Sequence, residues 1–168
     1  MESCDFLSLL KEHGNLPSDP LPPPVQGAGF DTTEGTTILA VRYRDGVLIA
    51  GDRRATMGNV VVYDRADKVL SIDDDAVIAL AGSPAVAYEI ARLLEISFQH
   101  YRRSQLQVLS LDGKLRILSR LLRDNLPLAM QGIGAVIPIF AAFDEQEEEG
   151  KIFFYDVLGA QFESVDFC

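Results

Sequence analysis

A threonine pair stands behind a glycine at Gly35-Thr36-Thr37, directly ahead of a segment that alternates like a half-buried strand. If the chain is cut between Gly35 and Thr36, Thr36 carries both a hydroxyl group and a free α-amine. An α-amine has an unperturbed pKa of about 7.7 to 8.0, so near neutral pH it can act as the base for a hydroxyl nucleophile. The pattern therefore fits a nucleophilic hydrolysis that needs no histidine.

The histidines and cysteines offer no competing mechanism. His13 would leave with the segment before Thr36, and His100, in FQHYRR, is expected to cap a helix or face solvent. No Ser-His-Asp or Cys-His system is credible from these positions. Cys4 and Cys168 lie at opposite ends of the chain, which fits neither a zinc pattern nor a disulfide framework. We predict no metal and no cofactor.

A carboxylate and an ammonium group at two predicted strand ends form a second feature. Asp52 occurs in AGDRRAT and Lys68 in ADKVL. If Lys68 lies near the Thr36 amine, its positive charge lowers the pKa of that amine, and Asp52 orients Lys68 and offsets its desolvation. Spacing alone favours the interpretation of Asp52 and Lys68 as two unrelated surface charges. The catalytic interpretation therefore requires that the pair lies beside Thr36.

A glycine at a strand-to-helix turn is the third feature. Gly82, in the sequence AGS at 81–83, follows a continuous apolar run and precedes a helix start. Backbone N–H groups at such a turn can donate to a developing oxyanion. Glycine is common at turns of this kind, so the signal is weak in isolation.

Hydrophobic periodicity predicts the elements that must position these residues. TTILAVRY, the turn RDG and VLIAGDRRA predict an antiparallel hairpin. Further strands are predicted at NVVVY, DKVLSI and AVIALAG, and again at AVIPIFAAF, KIFFYDV and AQFESVDF. The AVIALAG run suits a strand that is buried on both faces.

Two helices separate the early strands from the late ones. The first is predicted from the N-cap Ser83 and Pro84 to about Arg102, and the second from about Leu111 to Asn125. Pro127 should end or kink the second helix. Its basic residues are expected mostly on the solvated face: Lys114, Arg116, Arg120 and Arg123. Strands, two helices and strands again predict an α+β layered domain with the helix pair covering a sheet.

The composition limits the function classes. The formal charge is −10, and residues 1–35 carry six carboxylates against one lysine, so no basic cluster suggests nucleic-acid binding. Residues 14–35 hold five of the eight prolines and predict a linker or removable leader, while DFLSLLKEHG before them could form a marginal two-turn helix. The N-terminus lacks a basic secretory start and the apolar runs are too short for a bilayer. We therefore predict a soluble, cytoplasmic protein that binds no membrane.

The combined motifs resemble those of a proteasome β-type subunit. The order GTT, GVLIAGDRRATMGN, DKV and ALAGSPA carries the resemblance, which extends from Gly35 through NLPLAMQG to the chain end. The form GDRRAT is most similar to the bacterial 20S proteasome of the actinobacterial kind. The resemblance implies the four-layer αββα sandwich of N-terminal-nucleophile hydrolases, and a leader (1–35) that is removed by self-cleavage to leave a domain at 36–168.

The resemblance also assigns roles to residues of this sequence. It implies that Thr36 is the nucleophile with its amine as base, that Asp52 and Lys68 are the charged pair beside it, and that Gly82 is the oxyanion donor. It implies that Thr56 binds the substrate backbone. The resemblance also implies a primary specificity pocket whose residues are all apolar in this sequence: Ala55, Ala66, Leu70, Leu80 and Pro84. An uncharged pocket of this kind favours cleavage after hydrophobic residues.

The implied partners are α-type subunits, other β-type subunits in heptameric rings, an ATPase ring and polypeptide substrates. The family continues beyond Cys168 with a glycine-serine turn and further helices and strands, so the αββα fold is expected here in its N-terminal two-thirds, as a fragment or a truncated subunit. The family's later part also contains a serine and an aspartate that complete the network around the threonine amine, and Ser164 should not take the role of that serine.

Three alternatives stay open at the sequence level. One is a simpler bacterial ATP-dependent peptidase related to proteasomes, although the 35-residue leader speaks against it. Another is a non-catalytic or truncated β-type subunit that acts only in assembly. The third treats TTILAV as the start of an ordinary β-branched strand, which fits the propensities as well but not the joint spacing of the motifs.

Overall fold

A computed structural model describes residues 36–57, 60–145 and 147–168. The predictions for residues 1–35, including the leader helix and the Gly35 side of the cleavage site, lie outside the described residues. The strands are β1 (Ile38–Tyr43), β2 (Gly46–Gly51), β3 (Ala55–Met57), β4 (Val60–Tyr63), β5 (Val69–Asp73), β6 (Ala76–Gly82), β7 (Val136–Asp144), β8 (Glu149–Tyr155) and β9 (Gln161–Ser164). The helices are α1 (Pro84–Gln105), α2 (Leu111–Asp124) and α3 (Leu126–Met130).

The strands pair antiparallel throughout the described residues. β1 and β2 form the predicted hairpin, β3 and β4 form a second two-stranded ribbon, and the other five strands form one sheet in the order β5-β6-β7-β8-β9. β6 has a neighbour on both edges, which agrees with the continuous apolar run of its sequence. The sequence analysis does not predict the short strand β3, since the predicted hairpin strand VLIAGDRRA ends at Ala55, the first residue of β3.

The five-stranded sheet separates two cores. Its helix-facing side packs against α1 and α2 through residues such as Ile78, Leu94, Leu118 and Phe140, all fully or almost fully buried. Its opposite side packs against the β1–β2 hairpin through Ala40, Ala79, Ile139 and Ile152. The alternation of side chains along each strand allows one sheet to serve both layers. The described residues therefore form helix, sheet and hairpin layers of an α+β sandwich.

The chain end adds a backbone connection to the hairpin. Ala40 and Cys168 exchange two N–H···O bonds of 2.9 Å, and the N–H of Arg42 donates to the carbonyl of Asp166 at 2.8 Å. The predicted strand AQFESVDF is thus divided, because β9 stays in the large sheet while residues 166–168 pair with the outer edge of β1.

Helix α1 begins at Pro84, as predicted from its fixed backbone φ. The expected side-chain cap is wrong, because the Ser83 hydroxyl makes no capping hydrogen bond. Residues at three- and four-residue steps face the sheet: Ala87, Ile90, Ala91, Leu94 and Phe98. His100 is exposed, as expected.

Helix α2 ends one residue before Asn125, and a separate short helix α3 follows with Pro127 in its first turn. The predicted interruption at this proline is therefore confirmed. At the other end of α2, the Ser110 hydroxyl accepts a hydrogen bond from the Gly113 N–H.

The prediction that the basic side chains of α2 lie on its solvated face is wrong for Lys114. Arg116, Arg120 and Arg123 are exposed, but only 1% of the Lys114 side chain is accessible. Its Nζ atom contacts Asp73 Oδ2 at 3.1 Å and Asp75, and lies 5.6 Å from the centre of the Phe98 ring. Two carboxylates at the β5–β6 turn compensate for the burial of this ammonium group.

Candidate active site

The candidate site lies at the termini of three strands that belong to two different layers: β2 and β6 end there, and β5 begins there. Asp52 directly follows β2, Lys68 directly precedes β5, and Gly82 is the last residue of β6. The N–H of Leu80 donates to the carbonyl of Lys68 at 2.8 Å, which fixes the start of β5 beside the end of β6. Residues 30 positions apart in sequence therefore meet at one edge of the fold.

The start of β1 is fixed to Asp52 by two hydrogen bonds. The Thr37 N–H donates to Asp52 Oδ1 at 2.8 Å, and the Asp52 N–H donates to the Thr37 carbonyl at 3.0 Å. Because Thr37 follows Thr36 directly, these bonds hold the backbone of the candidate nucleophile beside the charged pair. Thr36 itself is half-buried.

Lys68 is held by three oxygen atoms. Its Nζ atom donates to Asp52 Oδ1 at 2.8 Å, to Asp52 Oδ2 at 2.9 Å and to the Arg54 carbonyl at 2.7 Å. The Lys68 side chain is 10% exposed and that of Asp52 is 33% exposed, so the pair lies at the border of the solvent. The alternative of two unrelated surface charges is excluded, because the two side chains form a direct ion pair.

Burial and three neighbouring groups determine the ionisation of Asp52. Burial by itself would raise the pKa of the Asp52 carboxyl group. The ammonium group of Lys68 and the N–H groups of Thr37 and Arg54 stabilise the charged form more strongly, so the pKa stays below its ordinary value. Asp52 is therefore a permanent anion near neutral pH, suited to orienting Lys68 rather than to transferring protons.

The backbone at Gly82 accepts no other residue without rearrangement. Gly82 has a φ of 115°, and a Cβ atom placed there would lie 2.1 Å from the Ala135 carbonyl oxygen. The next N–H, of Ser83, is already bound to that carbonyl at 2.9 Å. The glycine therefore permits the close approach of β6 to residue 135 just before α1 begins.

One pocket brings the candidate residues together. Thr36, Lys68 and Gly82 all line it, and so do five of the expected substrate-binding residues: Ala55, Thr56, Ala66, Leu80 and Pro84. Leu70 is not among the lining residues. It lies opposite Ile78 in the ladder, deeper in the sheet than Leu80, and packs against the helix-facing core.

Sequence reasoning missed four lining residues, namely Arg54, Asp67, Ala87 and Tyr88. Ala87 and Tyr88 follow Pro84 by three and four positions, so they share its face of α1. That spacing is the signal that could have identified them. Arg54 and Asp67 neighbour the motif residues in sequence and carry opposite charges at the rim.

The described residues provide neither a candidate metal site nor a candidate membrane-spanning helix. No group of three or more histidine, cysteine, aspartate or glutamate side chains is arranged to hold a metal ion within the described ranges. In the same ranges, none of the helices has both the length and the apolar character required to cross a membrane.

Two antiparallel sheets packed face to face, with a helix pair outside the larger one, define the α+β sandwich of the N-terminal-nucleophile hydrolases. The family described as proteasome subunit matches residues 32–168 of this sequence. The chain belongs to the proteasome subunit family.

Curated relatives point to the β type within that family. A proteasome subunit beta of Acidothermus cellulolyticus is 42% identical over 148 residues, which cover 86% of this chain and 51% of the relative. A proteasome subunit beta 2 of Thermomonospora curvata is 46% identical over 137 residues, 82% of this chain and 49% of the relative. The chain thus spans about half the length of these relatives. The resemblance to a bacterial β-type subunit is confirmed.

Proposed function

We propose that this chain is a threonine-type endopeptidase subunit of a 20S proteasome core, with Thr36 as its nucleophile. The observation that carries the proposal is the pocket that Thr36 shares with Lys68 and Gly82. In that pocket Lys68 is bound to Asp52, which also binds the backbone N–H after Thr36. A threonine, a fixed cation and a glycine at a strand end are the groups that the chemistry requires.

The reaction proceeds through an acyl-enzyme ester. The free α-amine of Thr36 takes the hydroxyl proton as Oγ attacks the substrate carbonyl carbon, and the N–H of Gly82 stabilises the oxyanion. The C–N bond then breaks, and the leaving amine takes the proton from the Thr36 ammonium group. Water, activated by the same amine, attacks the ester and releases the second product.

Lys68 and Asp52 act on the ionisation of the Thr36 amine. The Lys68 ammonium disfavours a second positive charge nearby, so a larger fraction of the Thr36 amine is neutral and able to accept a proton near neutral pH. Asp52 holds Lys68 in place with both carboxylate oxygens. The pair supplies a positive charge at a fixed position without itself exchanging protons.

The free amine arises from autocatalytic cleavage between Gly35 and Thr36, which makes the unprocessed chain a zymogen. The same Oγ atom attacks the carbonyl carbon of Gly35, and the hydroxyl proton passes to the Thr36 nitrogen as the peptide bond breaks. Hydrolysis of the resulting ester leaves Thr36 as the new N-terminus. The leader blocks the amine until then. The chain acts in the cytoplasm.

The apolar pocket wall predicts cleavage after hydrophobic residues, because Ala55, Ala66, Leu80, Pro84 and Ala87 offer no charged partner to an entering side chain. A panel of fluorogenic peptides that differ only in the residue before the scissile bond measures this preference. We expect kcat/KM to be at least about tenfold higher for hydrophobic residues than for acidic and basic ones, since a single methylene group in an apolar pocket already changes it by about 10- to 200-fold.

The matched control is Thr36→Ala, which should abolish hydrolysis of every peptide in the panel. A preference for acidic or basic residues would overturn the pocket assignment, whereas equal activity of the Thr36→Ala variant would overturn the nucleophile.

Family membership supports a proposal about assembly. We propose that the chain takes its place in heptameric rings with other β-type subunits, stacked on α-type rings, and that an ATPase ring delivers unfolded or tagged polypeptides. Enclosure in such a core keeps the peptidase away from folded cellular proteins.

The second candidate is a role in assembly alone, and an exposed apolar surface supports its assembly part. The outward face of the β1–β2 hairpin exposes large apolar side chains: Leu39, Val41, Tyr43 and Leu48. Exposed apolar faces of this kind are typical of protein contact surfaces. A chain that joins β-type rings but keeps its leader would support this non-catalytic function.

A further inference from the structure

Arg53 lies between the two residues that hold Lys68. Asp52 binds Lys68 through its carboxylate and Arg54 binds it through its backbone carbonyl. Arg53 does not line the pocket itself. Its side chain instead reaches across to residues 65–67, the segment that leads into Lys68.

Three hydrogen bonds connect the two segments at Arg53. Its Nη2 atom donates to Asp67 Oδ1 at 3.0 Å and to the Arg65 carbonyl at 3.4 Å. Its own carbonyl accepts a hydrogen bond from the Ala66 N–H at 2.9 Å. One residue therefore contacts three consecutive positions immediately before Lys68.

We propose that Arg53 is a positioning residue that fixes the Lys68 ammonium group by clamping residues 65–67 onto residues 52–54. The clamp acts through Asp67, the direct neighbour of Lys68. Its effect on hydrolysis rests on the proposed function of the pocket, whereas its effect on the place of Lys68 rests on geometry alone.

The strength of the clamp sets the size of the effect. The Arg53 and Asp67 side chains are 61% and 66% exposed, and ion pairs that are this exposed contribute little to the stability of a fold. We therefore expect a local change of about two- to fivefold, the range measured for exposed pairs, and no global unfolding. A lysine at position 53 keeps the charge but lacks the planar guanidinium that donates to two oxygens at once.

A purely electrostatic role for Arg53 makes a different prediction. Arg53→Gln removes a positive charge and Asp67→Asn removes a negative one, so charge effects on the pocket should have opposite signs. Loss of the clamp should instead have the same sign in both variants. The double variant should then change no more than either single variant, since one interaction cannot be lost twice.

The experiment measures the acylation rate of individual lysines in the full chain, using an amine-reactive ester and peptide mass spectrometry. Lys151 is the internal reference, because its side chain is 11% exposed and held by Asp144 and Glu147, much as Lys68 is 10% exposed and held by Asp52. Arg65→Gln is the matched control, since Arg65 is exposed and contributes only its carbonyl to the clamp.

We expect Lys68 to react about two- to fivefold faster than in the wild-type chain in Arg53→Gln, in Asp67→Asn and in the double variant. In Arg53→Lys the increase should be somewhat smaller. Lys151 should react at the same rate in all variants, and Arg65→Gln should match the wild-type chain. An unchanged Lys68 rate, opposite changes in the two single variants, or an equal rise at Lys151 would each overturn the proposal.

Peptide hydrolysis separates this proposal from the proposed function. If Thr36 is the nucleophile, kcat should fall about two- to fivefold in Arg53→Gln and by less in Arg53→Lys, with little change in KM. A wild-type enzyme whose hydrolysis does not depend on Thr36 would contradict the proposed function while leaving the acylation result for Lys68 intact.

Discussion

Lys68 shows how three acceptors can fix one charge. Its ammonium group has three donors, and the structure supplies three oxygen atoms for it within 2.9 Å. A lysine suits this geometry because its charge is compact, whereas the wide planar group of arginine would place its charge elsewhere. At the scale of single residues, the site therefore depends on a point charge held at one position.

Replacement of that charge should abolish most of the activity. In the proposed mechanism the ammonium group of Lys68 keeps the Thr36 amine neutral. Lys68→Met removes that group, so we expect kcat/KM to fall by at least about 100-fold, within the range of acid–base contributions. Lys68→Arg should retain little of the wild-type kcat/KM. Steady-state hydrolysis of a hydrophobic peptide measures the effect.

Lys151→Met provides the comparison, because Lys151 is equally shielded but belongs to β8 and does not line the candidate pocket. It should retain peptidase activity. Equal losses in Lys68→Met and Lys151→Met would mean that the first variant acts through folding and not through the pocket.

The sequence predicts the polar residues of the site better than its apolar wall. Thr36, Asp52, Lys68 and Gly82 carry distinctive chemistry in short motifs, and the structure brings them to one edge. Leu70 is apolar, as expected, but it lies opposite Ile78, deeper in the sheet than Leu80. No sequence motif reveals this difference in depth. The catalytic roles of the four motif residues stay predictions until they are tested by substitution.

At the scale of elements, the helix pair is fixed to the sheet by a charged cluster far from Thr36. Lys114 of α2 contacts Asp73 and Asp75, and Arg102 of α1 contacts Asp73 at 2.6 Å and Asp74 at 3.2 Å. The β5–β6 turn thereby contacts both helices. The period of α2 predicts which face is apolar, but the burial of Lys114 depends on carboxylates some 40 positions away, so periodicity alone cannot reveal it.

Loss of the Lys114 charge should destabilise the fold. Lys114→Met leaves the carboxylates of Asp73 and Asp75 without their shared cation, and breaking a buried pair costs about 3 to 5 kcal/mol. Denaturant unfolding measures the change in the free energy of unfolding. Arg116→Met, on the exposed face of the same helix, should change it by less than about 0.5 kcal/mol. Similar values for the two variants would contradict this assignment.

The same cluster predicts a dependence of stability on pH. Burial would raise the pKa of Asp73, but hydrogen bonds from Lys114 and the Asp74 N–H, with the charges of Lys114 and Arg102, lower it below its ordinary value. A carboxyl group with a lowered pKa stabilises the fold above its unfolded-state pKa, and this contribution is lost as the pH falls through the folded-state pKa.

We therefore expect Asp73→Asn to flatten the acid side of the stability curve below about pH 4, the unperturbed range of an aspartate. Thermal unfolding between about pH 2 and 7 measures the curve. Asp124→Asn, at an exposed position of α2, should leave its shape unchanged. A curve for Asp73→Asn that parallels that of the wild type would mean that Asp73 does not contribute to the pH dependence of stability.

At the scale of the whole molecule, the layers differ in how their faces are covered. The five-stranded sheet has helices on one side and the hairpin on the other, so its two cores are buried. The outer face of the hairpin presents Val41 and Leu48, which oppose each other in the ladder, and Phe167, which opposes Val41 on the other edge. Exposed apolar faces of this kind are typical of protein contact surfaces.

The central claim is that Thr36 becomes an N-terminal nucleophile, and the N-terminus of the purified chain tests it most directly. Intact mass and N-terminal sequencing should be carried out on the chain alone and on the chain co-expressed with a candidate α-type partner. We predict a new terminus at Thr36 in the wild type and an intact leader in Thr36→Ala. A leader that stays in place in the wild type under both conditions, or is removed equally in Thr36→Ala, would contradict the claim.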